Sequence, residues 1–113
     1  MHELALAESI IEAVKIEAKK HGTTRVLSVA IRVGVLSDVV PDALQFGFEV
    51  LIKDTPLDGA VLKIELVSIK GNCKSCGRQF EVEEFLFVCP QCFGGDIEII
   101  QGDELHITQI EIE

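Results

Sequence analysis

The stretch from Asn72 to Gly95, NCKSCGRQFEVEEFLFVCPQCFGG, carries all four cysteines of the chain, as Cys73-x-x-Cys76, twelve residues, then Cys89-x-x-Cys92. A Cys-x-x-Cys turn aims two thiolates at one centre, and two such turns supply the four sulfurs of a tetrahedral zinc site. Gly77 and Pro90 suit the tight turns of the two knuckles. Between them, Phe80, Val82, Phe85, Phe87 and Val88 stand among Glu81, Glu83 and Glu84 over a length that allows a short hairpin, which would bring the second knuckle beside the first. A zinc set of four thiolates is coordinatively closed. It leaves no position for water or substrate, so it holds a module together and performs no chemistry.

Other uses of four thiols have to be weighed. Disulfides are disfavoured because the chain reads as cytosolic, where thiols stay reduced. A thioredoxin-like dithiol needs one Cys-x-x-Cys at a helix start and leaves the doubling unexplained. Iron is the closest competitor, since Cys-Lys-Ser-Cys-Gly and Cys-Pro-Gln-Cys resemble the knuckles of rubredoxins, one-iron electron carriers. Those proteins are rich in Trp and Tyr, both absent here, and space their knuckles further apart.

The second place where chemistry is conceivable is the opening Met1-His2-Glu3. The Met1 amine, the deprotonated His2 amide and the His2 imidazole form a chelating set, to which Glu3 adds an amide nitrogen or a carboxylate. Planar sets rich in nitrogen and oxygen suit Ni(II) or Cu(II), whereas zinc prefers the thiolates. A bulky second residue disfavours removal of the initiator methionine, which keeps that amine in place. The competing reading is a histidine that merely precedes a helix, and spacing alone favours it. Elsewhere there is no Gly-rich phosphate loop, no nucleophile with a partnered His and no H-E-x-x-H helix.

The elements that must position these groups follow from periodicity. Leu4, Ala7, Ile11, Val14 and Ala18 recur at helical spacing, and Lys19, Lys20, His21 and Gly22 close that helix with a basic end and a left-handed cap. His21 is thereby explained as a solvated residue facing the helix dipole. Arg25 to Val33 alternates as a half-buried strand, with Leu27, Val29, Ile31 and Val33 on one face. Pro41-Asp42 opens a second helix that buries Leu44, Phe48 and Leu51 and stops before Thr55-Pro56. Ala60 to Ile69 reads as a strand, as do Asp96 to Ile100 and Glu104 to Ile112. In the last of these the apolar phase slips near Gln109, the mark of a bulge or a two-sided setting. His106 reads there as a surface-facing residue.

The order predicts an α+β fold: a small three-stranded sheet with two helices on one face, plus an inserted four-cysteine, zinc-ribbon-like module. The expected division is 1–69 with 96–113 as the α+β domain and 70–95 as the zinc module. The net charge of −9 repels a phosphate backbone, so nucleic acid is not expected as a partner. No apolar run is long enough to span a bilayer and the N-terminus lacks a secretory pattern, so a soluble cytoplasmic protein is expected.

Taken together, the terminal MHE, the helix LALAESIIEAVKIEAKKHG, the segment RVLSVAIRVGVLSDVVPDAL, the turn at Gly59-Ala60 and the paired knuckles resemble the HypA/HybF family, hydrogenase maturation nickel metallochaperones. The resemblance runs to the final ITQIEIE. It implies a protein that is not an enzyme, that binds cargo Ni(II) through His2 with Glu3 as the neighbouring ligand, and that holds structural zinc at Cys73, Cys76, Cys89 and Cys92. The partners it implies are the accessory GTPase of the nickel-insertion pathway and the [NiFe] hydrogenase large-subunit precursor. An acidic residue after the first strand has a role in the family, and Asp38 or Asp42 could stand in its place here. Members with a histidine just after the knuckles differ from this chain, which has Gly77-Arg78 and Phe93-Gly94. The rival expectations are a zinc-ribbon module for protein interaction without nickel, and the rubredoxin-like iron carrier.

Overall fold

A computed structural model describes residues 2–113, His2 by its backbone only. The elements run α1 (His2–Lys20), β1 (Val26–Gly34), a 3-10 turn (Val35–Ser37), α2 (Pro41–Ile52), β2 (Val61–Val67), β3 (Ile69–Cys73), β4 (Gln79–Val82), β5 (Ile97–Gln101) and β6 (Leu105–Ile112). The strands form two three-stranded sheets, ordered β2-β1-β6 and β4-β3-β5. The chain divides into two compact units, one of Met1–Arg32, Val39–Glu65 and His106–Glu113, the other of Val33–Asp38 and Leu66–Leu105. Among the described residues no helix is long and apolar enough to cross a membrane.

The first unit is built on the helical stripe that the sequence displays. Ala7, Ile11, Val14 and Ala18 are all buried, as their spacing requires. The helix ends where left-handed backbone at Gly22 (φ 73°) lets Gly22 N–H bond Lys19 O and Thr23 N–H bond Ala18 O, satisfying two terminal carbonyls. Pro41 opens α2, whose Leu44, Phe48 and Ile52 are buried. Gly47 lets the backbone of α2 lie close to Leu4 and Ala7 of α1. Each large apolar side chain buried this way contributes about 1.5–3 kcal/mol. In β1 Val29 and Ile31 are buried, but Leu27 is half exposed while Val26 is buried at the start of the strand. The slip foreseen in β6 is present: Ile107, Ile110 and Ile112 are half-buried, with Thr108 and Gln109 both exposed between them.

The second unit departs from the expected boundaries. The strand expected over 60–69 breaks at Ser68 into β2 and β3, which belong to different sheets. β3 then runs into the first knuckle and pairs antiparallel on both sides, Gly71 opposite Phe80 in β4 and opposite Ile99 in β5. An added Cβ at Gly71 would meet Ile97 Cγ2 at 2.5 Å, so a glycine is required where the flanking side chains close over the strand. Because β5 pairs with β3, residues 96–105 group with the cysteines and not with the helices. Residues 33–38 join them through Gly34 N–H to Glu104 O and Leu36 N–H to Gly102 O, both 2.7 Å. The compact unit that holds the knuckles is therefore larger than 70–95. The hairpin foreseen between the knuckles is also absent in that form: β4 is the one strand there and pairs back onto β3.

Candidate metal centres

The two knuckles have the same local structure. In the first, Gly77 N–H bonds Cys73 O at 2.7 Å and Cys73 N–H bonds Arg78 O at 2.9 Å. In the second, Phe93 N–H bonds Cys89 O and Cys89 N–H bonds Gly94 O, both at 2.9 Å. The equivalent positions Gly77 (φ 80°) and Phe93 (φ 60°) are both left-handed, so the second knuckle places a phenylalanine where the first has the residue suited to that backbone. Lys74 N–H on Asp96 O at 3.0 Å ties the first knuckle to the segment after the second.

These turns bring the four Sγ atoms within 4.8 Å of one another. Across the knuckles, Cys73 Sγ lies 3.5 Å from Cys92 Sγ and Cys76 Sγ lies 3.6 Å from Cys89 Sγ. A tetrahedron with zinc–sulfur bonds of about 2.3 Å has edges of about 3.8 Å, so the spacing suits a metal at the centre. Disulfide bonds need about 2.05 Å, and all four cysteines are free. Cys73 and Cys89 are buried, while Cys76 and Cys92 form the exposed edge of the cage.

The electrostatics of the cage also call for a cation. The Cys89 thiol is lowered to about 6, first by the Cys92 N–H and, against burial, by the Gln91 N–H and the neighbouring sulfurs. Cys73 is lowered likewise, first by the Cys76 N–H. Their knuckle mates go the other way. The Arg78 N–H draws Cys76 down, but burial and the Cys89 and Cys73 sulfurs outweigh it. At Cys92 the Gly94 N–H is overcome by Cys73, burial, Cys89 and Cys76, and the thiol is pushed up to about 12. Four thiolates packed this closely cannot all ionise together unless a positive charge is placed among them. A thiolate set with backbone N–H donors on its sulfurs is the chemistry that zinc fits.

Gly94 is a part of this site that residue types alone do not reveal. A Cβ there would lie 3.3 Å from Cys92 Sγ, 3.7 Å from Ser75 Oγ and 4.0 Å from Cys73 Sγ. Only its position after Cys-x-x-Cys-Phe hinted at a role.

At the other candidate centre, the Met1 amine and the His2 imidazole lie outside the described residues. Glu3 is half-buried in the first turn of α1, and its Oε2 accepts the Val40 N–H at 3.4 Å. Val40 is the residue that precedes Pro41 and begins α2 without a side-chain cap of its own. The Glu3 carboxylate is thus engaged at the start of that helix, where negative charge is favourable. The first four amide N–H groups of any helix have no partner within it. In α1 these begin at His2 and Glu3, so their nitrogens can serve a metal without costing a helical hydrogen bond. Asp38 is left-handed (φ 60°) at the end of the 3-10 turn, and Asp42 lies in the first turn of α2.

The remaining histidines bring nothing to these centres. His21, just past the end of α1, is exposed and lies 3.7 Å from Glu17 of that helix, and His106 is exposed in β6. A cleft of about 490 Å³ between α1 and β6 is lined by His21, Glu17, Ile110 and Ile112, and among the described residues it holds no further metal-ligating cluster.

The family model described as hydrogenase/urease nickel incorporation, metallochaperone, hypA, matches residues 1–112. Among curated relatives, the hydrogenase maturation factor HypA of Geobacter metallireducens is 41% identical over 113 residues, the whole of both chains. That of Rhizobium leguminosarum bv. viciae is 43% identical over 112 residues, 99% of each. In fold, the chain is similar to the solution structure of the Ni metallochaperone HypA from Helicobacter pylori, with a TM-score of 0.69 and 23% identity over 97% of this chain and 96% of that one. A second solution structure, of HypA protein, gives a TM-score of 0.75 and 24% identity over 100% and 97% of the two chains.

Proposed function

This chain belongs to the HypA family of hydrogenase/urease nickel-incorporation metallochaperones, and from that premise we propose that it binds Ni(II) at its N-terminus and delivers it during assembly of a [NiFe] hydrogenase. The family's work is metal carriage, and the protein is not an enzyme. The observation that carries the proposal is the family match over residues 1–112, which takes in Met1-His2-Glu3, with α1 running from His2 so that its first amide nitrogens have no partner within the helix.

The ligands we assign to nickel are His2, through its imidazole and amide nitrogen, and Glu3, with the Met1 amine as a further donor. The engaged carboxylate of Glu3 favours its amide nitrogen as the donor. Nickel is cargo here, so a site at the open end of a helix is an advantage: few contacts have to break when the ion leaves. Cys73, Cys76, Cys89 and Cys92 would hold zinc, which supplies folding energy to the unit around it and no reactivity. We assign nickel to the α+β part of the chain and zinc to the part with the knuckles. The family is one of hydrogenase maturation, and within that machinery we propose the accessory GTPase and the large-subunit precursor as partners, in the cytoplasm.

Metal analysis of the purified protein, before and after nickel addition and desalting, tests both assignments. One zinc retained throughout and one nickel acquired per chain is expected. Iron and visible colour would replace zinc by the rubredoxin-like reading, and zinc without nickel would leave only an interaction module.

A further inference from the structure

The turn Glu83-Glu84-Phe85-Leu86 is closed by Leu86 N–H on Glu83 O at 3.0 Å. Its two central residues are both left-handed, with φ of 54° at Glu84 and 57° at Phe85. This is the backbone of a type I′ turn, which Asn-Gly fills by preference because a Cβ is crowded in that region. An aromatic residue is among the least suited to it. Phe85 does not compensate by entering a core: it is 59% exposed, and Leu86 beside it is 66% exposed. The same short segment is therefore unfavourable twice, in its backbone and in the apolar surface it shows to water.

Neither cost is needed for the metal cage. β4 ends at Val82 and the next ligand is Cys89, so neither Phe85 nor Leu86 is itself part of the strand or of the thiolate set. Strained backbone and exposed aromatic anchors coincide where a segment is held ready for a partner. The charge of the turn itself is acidic: Glu83 and Glu84 adjoin the anchors, and residues 79–88 contain no Lys or Arg, while Glu81, further back on β4, lies opposite Lys70 of β3. We propose that this turn is a docking anchor, with Phe85 and Leu86 entering an apolar cleft rimmed by lysine and arginine on the protein that receives the nickel. The acids orient the encounter with that rim and the two apolar side chains hold it. This inference rests on the delivery reading above, since it names the surface by which the carrier meets its acceptor.

The test uses the full-length, zinc-loaded chain and the hydrogenase large-subunit precursor as the probe. The double variant Glu84→Asn with Phe85→Gly installs the pair that the backbone prefers. It should unfold at equal or higher denaturant concentration and keep its zinc and nickel, yet bind the precursor at least tenfold more weakly. Glu83→Lys with Glu84→Lys should also weaken binding at least tenfold, and wild-type affinity should fall as salt is raised. Undiminished binding by either variant overturns the anchor and leaves the delivery reading standing. Failure of the wild-type chain to bind the precursor at all overturns both. Concentration-dependent dimerisation of the wild type that disappears in the Asn-Gly variant would make a second copy of this chain the occupant, and would overturn the acceptor assignment.

Discussion

Replacing Gly94 by alanine should weaken zinc binding although it replaces no ligand. The residue lacks the positive φ that Gly22, Gly59, Gly77 and Gly102 have, so alanine fits its backbone without conformational strain. What alanine meets is the cage. Its methyl carbon would lie 3.3 Å from Cys92 Sγ, inside the usual carbon–sulfur contact, with Ser75 Oγ at 3.7 Å and Cys73 Sγ at 4.0 Å limiting its escape. A sulfur bonded to zinc cannot yield by a few tenths of an ångström without leaving its tetrahedral position. Overpacking of this kind costs about 1–3 kcal/mol, which is roughly a 5- to 150-fold rise in the zinc dissociation constant. Gly95 is the control, because a Cβ there has nothing within 4 Å. Zinc competition against a chromophoric chelator, run on both variants, measures the effect. Equal affinity in Gly94→Ala, Gly95→Ala and the parent protein would refute the closed cage from which the magnitude is worked.

Cys76→Ser should lose stoichiometric zinc and the dispersed NMR signals of the second compact unit, while those of α1 and α2 persist; zinc content unchanged by the substitution would refute the ligand assignment. Zinc affinity should fall as pH falls, because the metal needs thiolates. Cys89, lowered to about 6, contributes its charge already at neutral pH, whereas Cys92, pushed up to about 12, must give up a proton to the solvent. Cys76 is raised as well, so calorimetry in buffers of different ionisation enthalpy at pH 7 should report release of about two or more protons per zinc; release of none would contradict these shifts. Glu3→Gln keeps a carbonyl oxygen for the Val40 N–H and should change nickel affinity less than about threefold, while Glu3→Ala also removes that bond, which, being long and exposed, costs at most about 0.5 kcal/mol of stability. A tenfold or larger loss in Glu3→Gln, read by nickel titration, would show the carboxylate to be a ligand.

The helices were legible because each carries a buried stripe at helical spacing, although α2 also exposes Phe46 and Val50 and buries Ile52 more fully than the expected Leu51, and the four cysteines because their spacing leaves few other uses. The second sheet was not legible. Ile69 to Cys73 contains Lys70, Gly71 and Asn72, which do not read as a central strand, and it becomes one only because β4 and β5 bond to it from both sides. β5 looked like a strand of the helix-bearing part since periodicity carries no information about pairing partners. Gly34 and Gly102 read as loop residues, yet an added Cβ at Gly34 would lie 2.0 Å from Gly102 O. The Glu3–Val40 hydrogen bond joins residues 37 apart and has no local signature. The left-handed Glu84-Phe85 turn ran against the residue preferences by which turns are recognised, so its strain is seen only in the folded chain.

The central claim concerns the first residues, and nickel titration by calorimetry of the full-length, zinc-loaded protein tests it most directly. The parent chain should bind one nickel, more tightly as pH rises across about 6 to 8, because amine, amide and imidazole must all shed protons. His2→Ala should bind none, with zinc content and circular dichroism unchanged. Two extra residues ahead of Met1 should weaken binding although every native side chain remains. Undiminished one-to-one nickel binding by His2→Ala would contradict the account and place the cargo elsewhere.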